Sequence, residues 1–406
     1  PLLIPTQENI MVTFLPFKGY RPNIRAGETI ADRVSPPYDV IGEEELRQLQ
    51  SKRENVTNLT LSPDADKRYT QARKRLDEMV ADGSLKQDEP SYYIYDQTFS
   101  DGGKTYTRRG LVGILRTEEY SEGNIIPHEE TFSKVKADRL NLLRDMETHL
   151  ESIFGIFPGL GKELDRKVDD SARLLYRYVD GNGVEHRYSR ICDEGLCKEI
   201  SEKLKDQKML IADGHHRYET ALNYAKENPD SEAKQFVLCT MVSQDDAGLV
   251  IWPTHRLIDA GDIGETSAIK KIGKAMTMTE VTEEEMESRL KEHLFGMMFR
   301  SGRCFLLDNT SDDGNVMMKL DTYAAQQKIL YGVYKSDEGK SKISYDAELG
   351  SVKKAMAEKK HDAAIVLNAP CLQTIWDLAG QGKRMPKKTT FFFPKIWSGW
   401  VFYRME

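Results

Sequence analysis

MLIADGHHRYETALNYA, residues 209–225, changes its periodicity half-way along. Met209, Leu210, Ile211 and Ala212 form a continuous apolar run, the pattern of a buried strand. Tyr218, Ala221, Leu222 and Ala225 then fall at spacings of three, one and three, which marks one apolar face of a helix. Between the two patterns stand Asp213, Gly214, His215, His216 and Arg217. The stretch reads as a strand-to-helix turn with its polar residues gathered at the bend. Strand and helix signals alternate along the rest of the chain, so the expected class is α/β, with α+β mixed in.

The residue types at that bend favour an anion. Gly214 permits a tight turn and close approach of a ligand to the backbone. The first turn of a helix presents free N–H groups and the positive end of the dipole. Arg217 adds a planar fork suited to phosphate. Asp213 does not suit an anion pocket unless a cation such as Mg2+ lies between, so it is a candidate metal ligand as well as a candidate catalytic residue. His215 and His216 are adjacent, and on a helix they diverge by roughly 100°, so they do not converge on one zinc ion. The plainer alternative has Asp213 as a helix N-cap and the histidines as surface or capped residues.

Outward from the bend, SYYIYDQTF (91–99) and RRGLVGILR (108–116) flank Asp101-Gly102-Gly103, a hairpin signature. RLLYRYVD (173–180) and EHRYSRIC (185–192) flank Gly181-Asn182-Gly183 in the same way, and a helix is expected near 194–205. Helices are also expected over 68–80 and, from the spacing of Leu140, Leu143, Met146, Leu150 and Phe154, within 125–157. QFVLCTMVS (235–243) and GLVIWPTHR (248–256) read as strands. Beyond about residue 260 come a helix from Thr282 to Leu294 with a Thr282–Glu285 capping box, and strand-like RCFLLD, NVMMKL and DAAIVLN. The expected division is an N-terminal α/β region (1–107), a nucleotide-binding core (108–260) and a C-terminal α/β domain (261–406). The tail GKRMPKKTTFFFPKIWSGWVF is basic and aromatic together. It reads as a phosphate or nucleic-acid contact, or as a terminal strand with a solvated basic lead-in.

Composition narrows the partners. With 58 basic and 65 acidic residues the formal charge is −7, a poor balance for neutralising a polyphosphate backbone, so nucleic acid is not an expected partner. Five scattered cysteines suggest reduced thiols rather than a disulfide framework. PLLIPTQENIMV lacks the basic-then-apolar pattern of a signal peptide, and no apolar run is long enough to span a membrane. A cytoplasmic, non-membrane location is the expectation.

DGHHRYETA resembles the phosphate-binding motif of the ParB/sulfiredoxin superfamily, its free serine kinases in particular. Ile126-Pro127-His128-Glu129-Glu130 resembles the stretch those kinases carry before their first core helix. At full length the chain resembles the "domain of unknown function 1015" family, on PPYDVI (36–41), PHEET and KADRLNLLR (127–131, 136–144), IADGHHRYETAL (211–222), PTHR (253–256) and RMPKKTTFFFPK (384–395). The resemblance implies a ParB/sulfiredoxin-like core flanked by N- and C-terminal units.

The expected function is a nucleotide-dependent phosphotransferase on a small hydroxylated metabolite, serine-like by analogy, using ATP, ADP or CTP with Mg2+. Gly214, His215, His216 and Arg217 would cradle phosphate, with Arg139, His255 and Arg256 as further anion contacts. Glu129 is the expected base, Glu130 the second choice, and Tyr38, Asp39 and His128 the expected substrate contacts. Arg139 and Lys136 open a helix where positive charge is locally unfavourable, which an anion nearby would explain. For His255-Arg256 a structural ion pair explains the residues equally well, and for Glu129 and Glu130 a solvated turn is the plain alternative. The rival from another class is a non-catalytic nucleotide or metabolite sensor. Sulfiredoxin chemistry is not expected, because no cysteine stands in the Gly-His-His-Arg turn, and a P-loop is absent.

Overall fold

The structure, a computed structural model, describes residues 12–61, 67–131, 133–310 and 314–405, without the side chains of residues 68 and 133–136. The first eleven residues, read above for a leader, and the Lys136 side chain thus lie outside the described residues. Two compact units divide the chain. The first takes the described residues of Pro1–Pro127, Thr131–Val250 and Pro394–Glu406; the second takes His128–Glu130 and Ile251–Phe393.

The first unit is built on a mixed sheet of nine strands. Its order is Ile125–Pro127, Met209–Asp213, Ile153–Phe157, Phe236–Ser243, Lys104–Arg116, Tyr92–Asp101, Glu185–Ile191 and Arg173–Val179, with Phe14–Leu15 added against Lys104–Arg116. Two pairings are parallel, Met209–Asp213 with Ile125–Pro127 and Ile153–Phe157 with Phe236–Ser243; the others are antiparallel. Both expected hairpins form. Asp101 pairs with Lys104 across Gly102-Gly103, whose φ values of 54° and 76° suit a turn that only glycine adopts cheaply. Every residue of Ile153–Phe157 is buried, because this strand is central and helices cover the sheet. Helix Glu194–Leu204 shows the local logic: Asp193 caps it by accepting from Leu196 N at 2.7 Å, and Leu196, Cys197, Ile200 and Leu204 are its buried face.

The second unit has an all-antiparallel sheet of six strands, ordered Thr277–Val281, Cys304–Asp308, Leu294–Phe299, Ala363–Val366, His255–Asp259 and Lys342–Asp346. Helix Glu265–Ala275 buries Ala268 and Ile272 in its core. The chain as a whole is mixed α/β, as expected. Among the described residues no helix is long and apolar enough to cross a membrane.

Four local expectations are corrected. The helix expected through Leu150 and Phe154 ends at Met146. Glu147 turns left-handed at φ 45°, the Thr148 hydroxyl bonds the Met146 carbonyl at 2.8 Å, and Phe154 lies on a central strand. A short apolar run satisfies both periods, and here the sheet wins. NVMMKL is a 3-10 turn over Val316–Lys319 rather than a strand, because Asn315 caps it by accepting from Met317 N at 3.0 Å. The Thr282–Glu285 capping box forms, but its helix stops at Arg289, and Leu294 begins a strand. GLVIWPTHR also breaks, into Val250–Trp252 and His255–Asp259, with Pro253 lacking the N–H a continuous strand needs.

Two histidines make the units acid-sensitive. His149 in the first and His255 in the second are 8% and 2% exposed, and burial pushes each imidazole down to about 4. An unfolded imidazole titrates near ~6.5, so between those values the unfolded chain binds more protons. Stability is therefore complete above about pH 6.5 and falls as pH drops toward 4, by on the order of 3 kcal/mol per histidine. Calorimetric melting at pH 7 and pH 5 should show both units weakened at the lower pH. An unchanged profile would contradict the burial of these two rings.

Candidate functional site

The bend at 213–217 is shaped by an irregularity in the sheet. Met209–Asp213 pairs with Ile153–Phe157, and the register shifts between Ile211 and Asp213. Gly214 follows at φ 89° and ψ 26°, and helix His215–Glu227 begins on the next residue with no side chain capping it. The N-cap is thus Gly214 and not Asp213, which removes the capping alternative for that carboxylate. A Cβ on Gly214 would lie 3.1 Å from both Nε and Nη2 of Arg217. Left-handed backbone and missing side chain together let the arginine fold back over the turn.

Folded back, Arg217 donates from Nη2 to Asp213 Oδ2 at 2.9 Å and from Nη1 to the Ser152 carbonyl. The other carboxylate oxygen, Oδ1, accepts from Lys395 Nζ at 2.9 Å. Asp213 is bridged between two cations, with side-chain exposures of 27% for the acid and 15% and 13% for the bases. Burial works against the Arg217 charge, but Glu151, Asp213, Tyr38 and Asp39 outweigh it and raise the guanidinium above its ordinary value.

Beside Arg217 lies a pocket of about 50 Å³ lined by Arg139, His149, Glu151 and the threonines Thr60, Thr148 and Thr220. Arg139 projects from helix Ser133–Met146, only 9% exposed. It donates to Asp138 at 2.7 Å, and its guanidinium carbon lies 4.5 Å from the centre of the Tyr38 ring. Burial pushes the Tyr38 phenol up, against the pull of Arg217 and Arg139. The structure thus brings Tyr38, Asp39, Arg139, Asp213, Gly214 and Arg217 into one neighbourhood of the first unit. His215 is buried at the start of the helix, and the His216 carbonyl accepts from the Thr220 hydroxyl at 2.7 Å.

The remaining expected residues belong to the second unit. Met385 N bonds the His128 carbonyl at 2.7 Å, and Glu129 pairs with Met385 in a parallel bridge. His128, fully buried, places Nε2 3.0 Å from the Thr390 hydroxyl. Glu129 Oε1 accepts from that hydroxyl at 3.3 Å. The charge of Glu130 is felt by Tyr331 and Lys387. His255 accepts at Nδ1 from Leu367 N at 3.1 Å. Arg256 spends its guanidinium on the carbonyls of Thr254 and Lys388, the latter at 2.9 Å, and burial pushes it down to about 10.

Glu151 and Lys395 escaped the sequence reading. Lys395 ends the RMPKKTTFFFPK block, yet nothing local says that a residue 182 positions away meets Asp213. Mg2+ finds no ready centre. Among the described residues no three histidine, cysteine or carboxylate side chains are grouped to hold a metal, and both Asp213 oxygens already face cations. The donor set does not fit a protein-built Mg2+ site.

Residues 14–323 match the family model described as Protein of unknown function (DUF1015). The chain belongs to this family. No curated protein matches it. Among solved structures, a conserved hypothetical protein from Pyrococcus furiosus is 14% identical, with 68% of this chain and 89% of that one covered, at a TM-score of 0.38. A free serine kinase in complex with AMP is 15% identical, with 66% and 83% covered, at a TM-score of 0.37. SbnI with a C-terminal truncation, from Staphylococcus aureus, is 9% identical, with 70% and 84% covered, at 0.39.

Removing the carboxylate should expose how much this member of the DUF1015 family depends on its bridge. Asp213→Ala leaves Arg217 and Lys395 partly buried without their shared counter-charge, and a loss of roughly 1–3 kcal/mol is expected. Urea unfolding of the variant and the parent measures it. A difference below about 0.5 kcal/mol, the usual range of surface substitutions, would mean the bridge is only a surface contact.

Proposed function

We propose that the chain binds the phosphates of ATP, ADP or CTP at the Gly214–Arg217 turn and transfers a phosphoryl group to a small hydroxylated metabolite, serine-like by analogy. The observation that carries the reading is the convergence of Arg139 and Arg217, from two different helices, on one pocket of the first unit. Threonine hydroxyls line that pocket, and Arg217 stands in the uncapped first turn of its helix. Two guanidinium forks and the positive end of a helix suit phosphate oxygens. His215 and His216 are the further phosphate contacts of this reading, and Tyr38 and Asp39 its substrate contacts. A ParB/sulfiredoxin-like core over 108–260, between regions 1–107 and 261–406, belongs to the same proposal.

The chemistry asked of the chain is positioning and charge stabilisation, with one proton to accept. Glu129 is assigned as the base for the substrate hydroxyl, with Glu130 in reserve, His128 as a substrate contact and His255 and Arg256 as further anion contacts. Mg2+ enters only as an ion brought by the nucleotide, and no step is routed through it.

One observation favours the rival reading of a sensor without turnover. Asp213 already occupies Arg217 and Lys395. A phosphate that takes Arg217 must displace an internal carboxylate, and such an exchange is a switch whether or not chemistry follows.

Isothermal titration of ATP, ADP and CTP is expected to show binding by the parent and at least a tenfold loss in Arg217→Ala and in Arg139→Ala. Binding that both variants retain, or no binding by the parent, would sink the proposal. Glu129→Gln should abolish product formation from labelled nucleotide and a panel of amino acids while leaving affinity intact. Binding without product in the parent supports the sensor instead.

A further inference from the structure

A cavity of about 530 Å³ in the first unit shares no lining residue with the Arg217 pocket and has no role in the function proposed above. It falls within the ~300–1,000 Å³ of sites that hold small organic ligands. Its floor is apolar: Ile94, Leu111, Phe157, Val168 and Met241 line it, each no more than 4% exposed. The strand Ile153–Phe157 leads into one wall, the turn Pro158-Gly159-Leu160-Gly161, before helix Lys162–Ser171. Gly161 runs at φ 91°, and a Cβ built on it would meet nothing within 4 Å. The turn is open at Gly161 and packed at Gly159, where a Cβ would lie 2.8 Å from Ser243 Oγ.

The rim has the opposite character from the Arg217 pocket. Arg109 is already divided between Asp96, at 2.8 Å, and Asp169. Apart from Arg109, the charged lining residues are Asp165, Asp245 and Asp246 against one cation, Lys162. Asp246 accepts from two backbone N–H groups, Arg109 N at 3.0 Å and Gly248 N at 2.7 Å, which fixes its orientation at the mouth. Burial nevertheless pushes the carboxyls of both Asp165 and Asp246 upward. That push outweighs the opposing pull of Arg109 on both and of Arg108 on Asp246, and an arriving cation would favour the charged carboxylates further.

We propose that this cavity binds a small molecule carrying a primary ammonium on an apolar body, the body against the Phe157–Met241 floor and the ammonium between Asp165 and Asp246. Charge complementarity selects the head group, and the floor selects the body. A free amine and an amino acid share this chemistry, and the two are separated by whether a carboxylate on the ligand is tolerated.

The test is titration of the full chain with phenethylamine, phenylalanine and 3-phenylpropionate, read by calorimetry and by the methyl resonance of ¹³C-methionine at Met241. Phenethylamine should bind and shift Met241, and 3-phenylpropionate, which lacks the ammonium, should do neither. Phenylalanine that binds as well as the amine points to an amino-acid ligand; phenylalanine that binds at least tenfold more weakly points to an amine. Asp165→Asn, at an exposed position that leaves the fold alone, should weaken phenethylamine at least tenfold, and Asp246→Asn should do the same. Absence of amine binding, equal binding of 3-phenylpropionate, or full affinity in Asp165→Asn would each overturn the proposal. Nucleotide binding is expected to be unchanged in Asp165→Asn, so the two proposals fail separately.

Discussion

Asp213 sits between Arg217 and Lys395, and the local structure of the first unit is organised around that pairing. Two cations of low exposure so close to one carboxylate would be untenable without it. At an effective dielectric of ~20 a contact pair is worth about 4 kcal/mol before desolvation is subtracted, which is enough to hold the charges in place. The pairing in turn needs Gly214. Only a left-handed residue without a Cβ lets Arg217 reach back over its own helix start to the preceding strand. Competition follows from the same contact. An incoming anion must outbid an intramolecular carboxylate, and a phosphate that takes an arginine bidentately has the charge and geometry to do so, whereas a simple monoanion has less of both.

How much of the site was legible in the sequence depends on how local the signal was. The strand–turn–helix at 209–227 carries its own evidence, because the period changes within a few residues and glycine stands at the change. Arg139 was flagged by a rule of the same kind, a cation opening a helix, but the helix begins at Ser133 and places Arg139 beyond its first turn. Asp138 and the Tyr38 ring hold the guanidinium there instead. Glu151 and Lys395 carried no such mark. A single glutamate after a leucine, or a lysine in a basic tail, is indistinguishable from a solvated surface residue until the fold supplies its neighbours.

The fold divides in the same way. Hairpins with paired glycines, capped helices and long alternating strands form where the pattern puts them, since turn chemistry and periodicity are short-range. One miss is a place where a tertiary demand overrode an ambiguous pattern. Leu150 and Phe154 continue a helical spacing, but a central strand of the sheet claims Ile153–Phe157. Chain order hides more. His128–Glu130 belongs to a unit otherwise made of 251–393, and 394–406 returns to the first unit. A linear reading that cuts at single boundaries has no means of seeing such exchanges, and they decide where Glu129 and Lys395 reside.

The strand Ile153–Phe157 connects two regions of opposite charge within one sheet. Before it, the Ser152 carbonyl holds Arg217; beyond it, Pro158 to Gly161 wall the acid-rimmed cavity. Arg108 lies under Phe154 with its guanidinium carbon 5.0 Å from the ring centre, and it feels the charges of both Asp213 and Asp246. Burial pushes this arginine down to about 10, and its guanidinium bonds Gln97 Oε1 at 2.5 Å and the Pro394 carbonyl. Its charge acts on the acids on either side, and at Asp246 it draws the carboxyl down against the upward push of burial. One buried guanidinium therefore acts on Asp213 in its ion pair and on Asp246 at the cavity mouth at once.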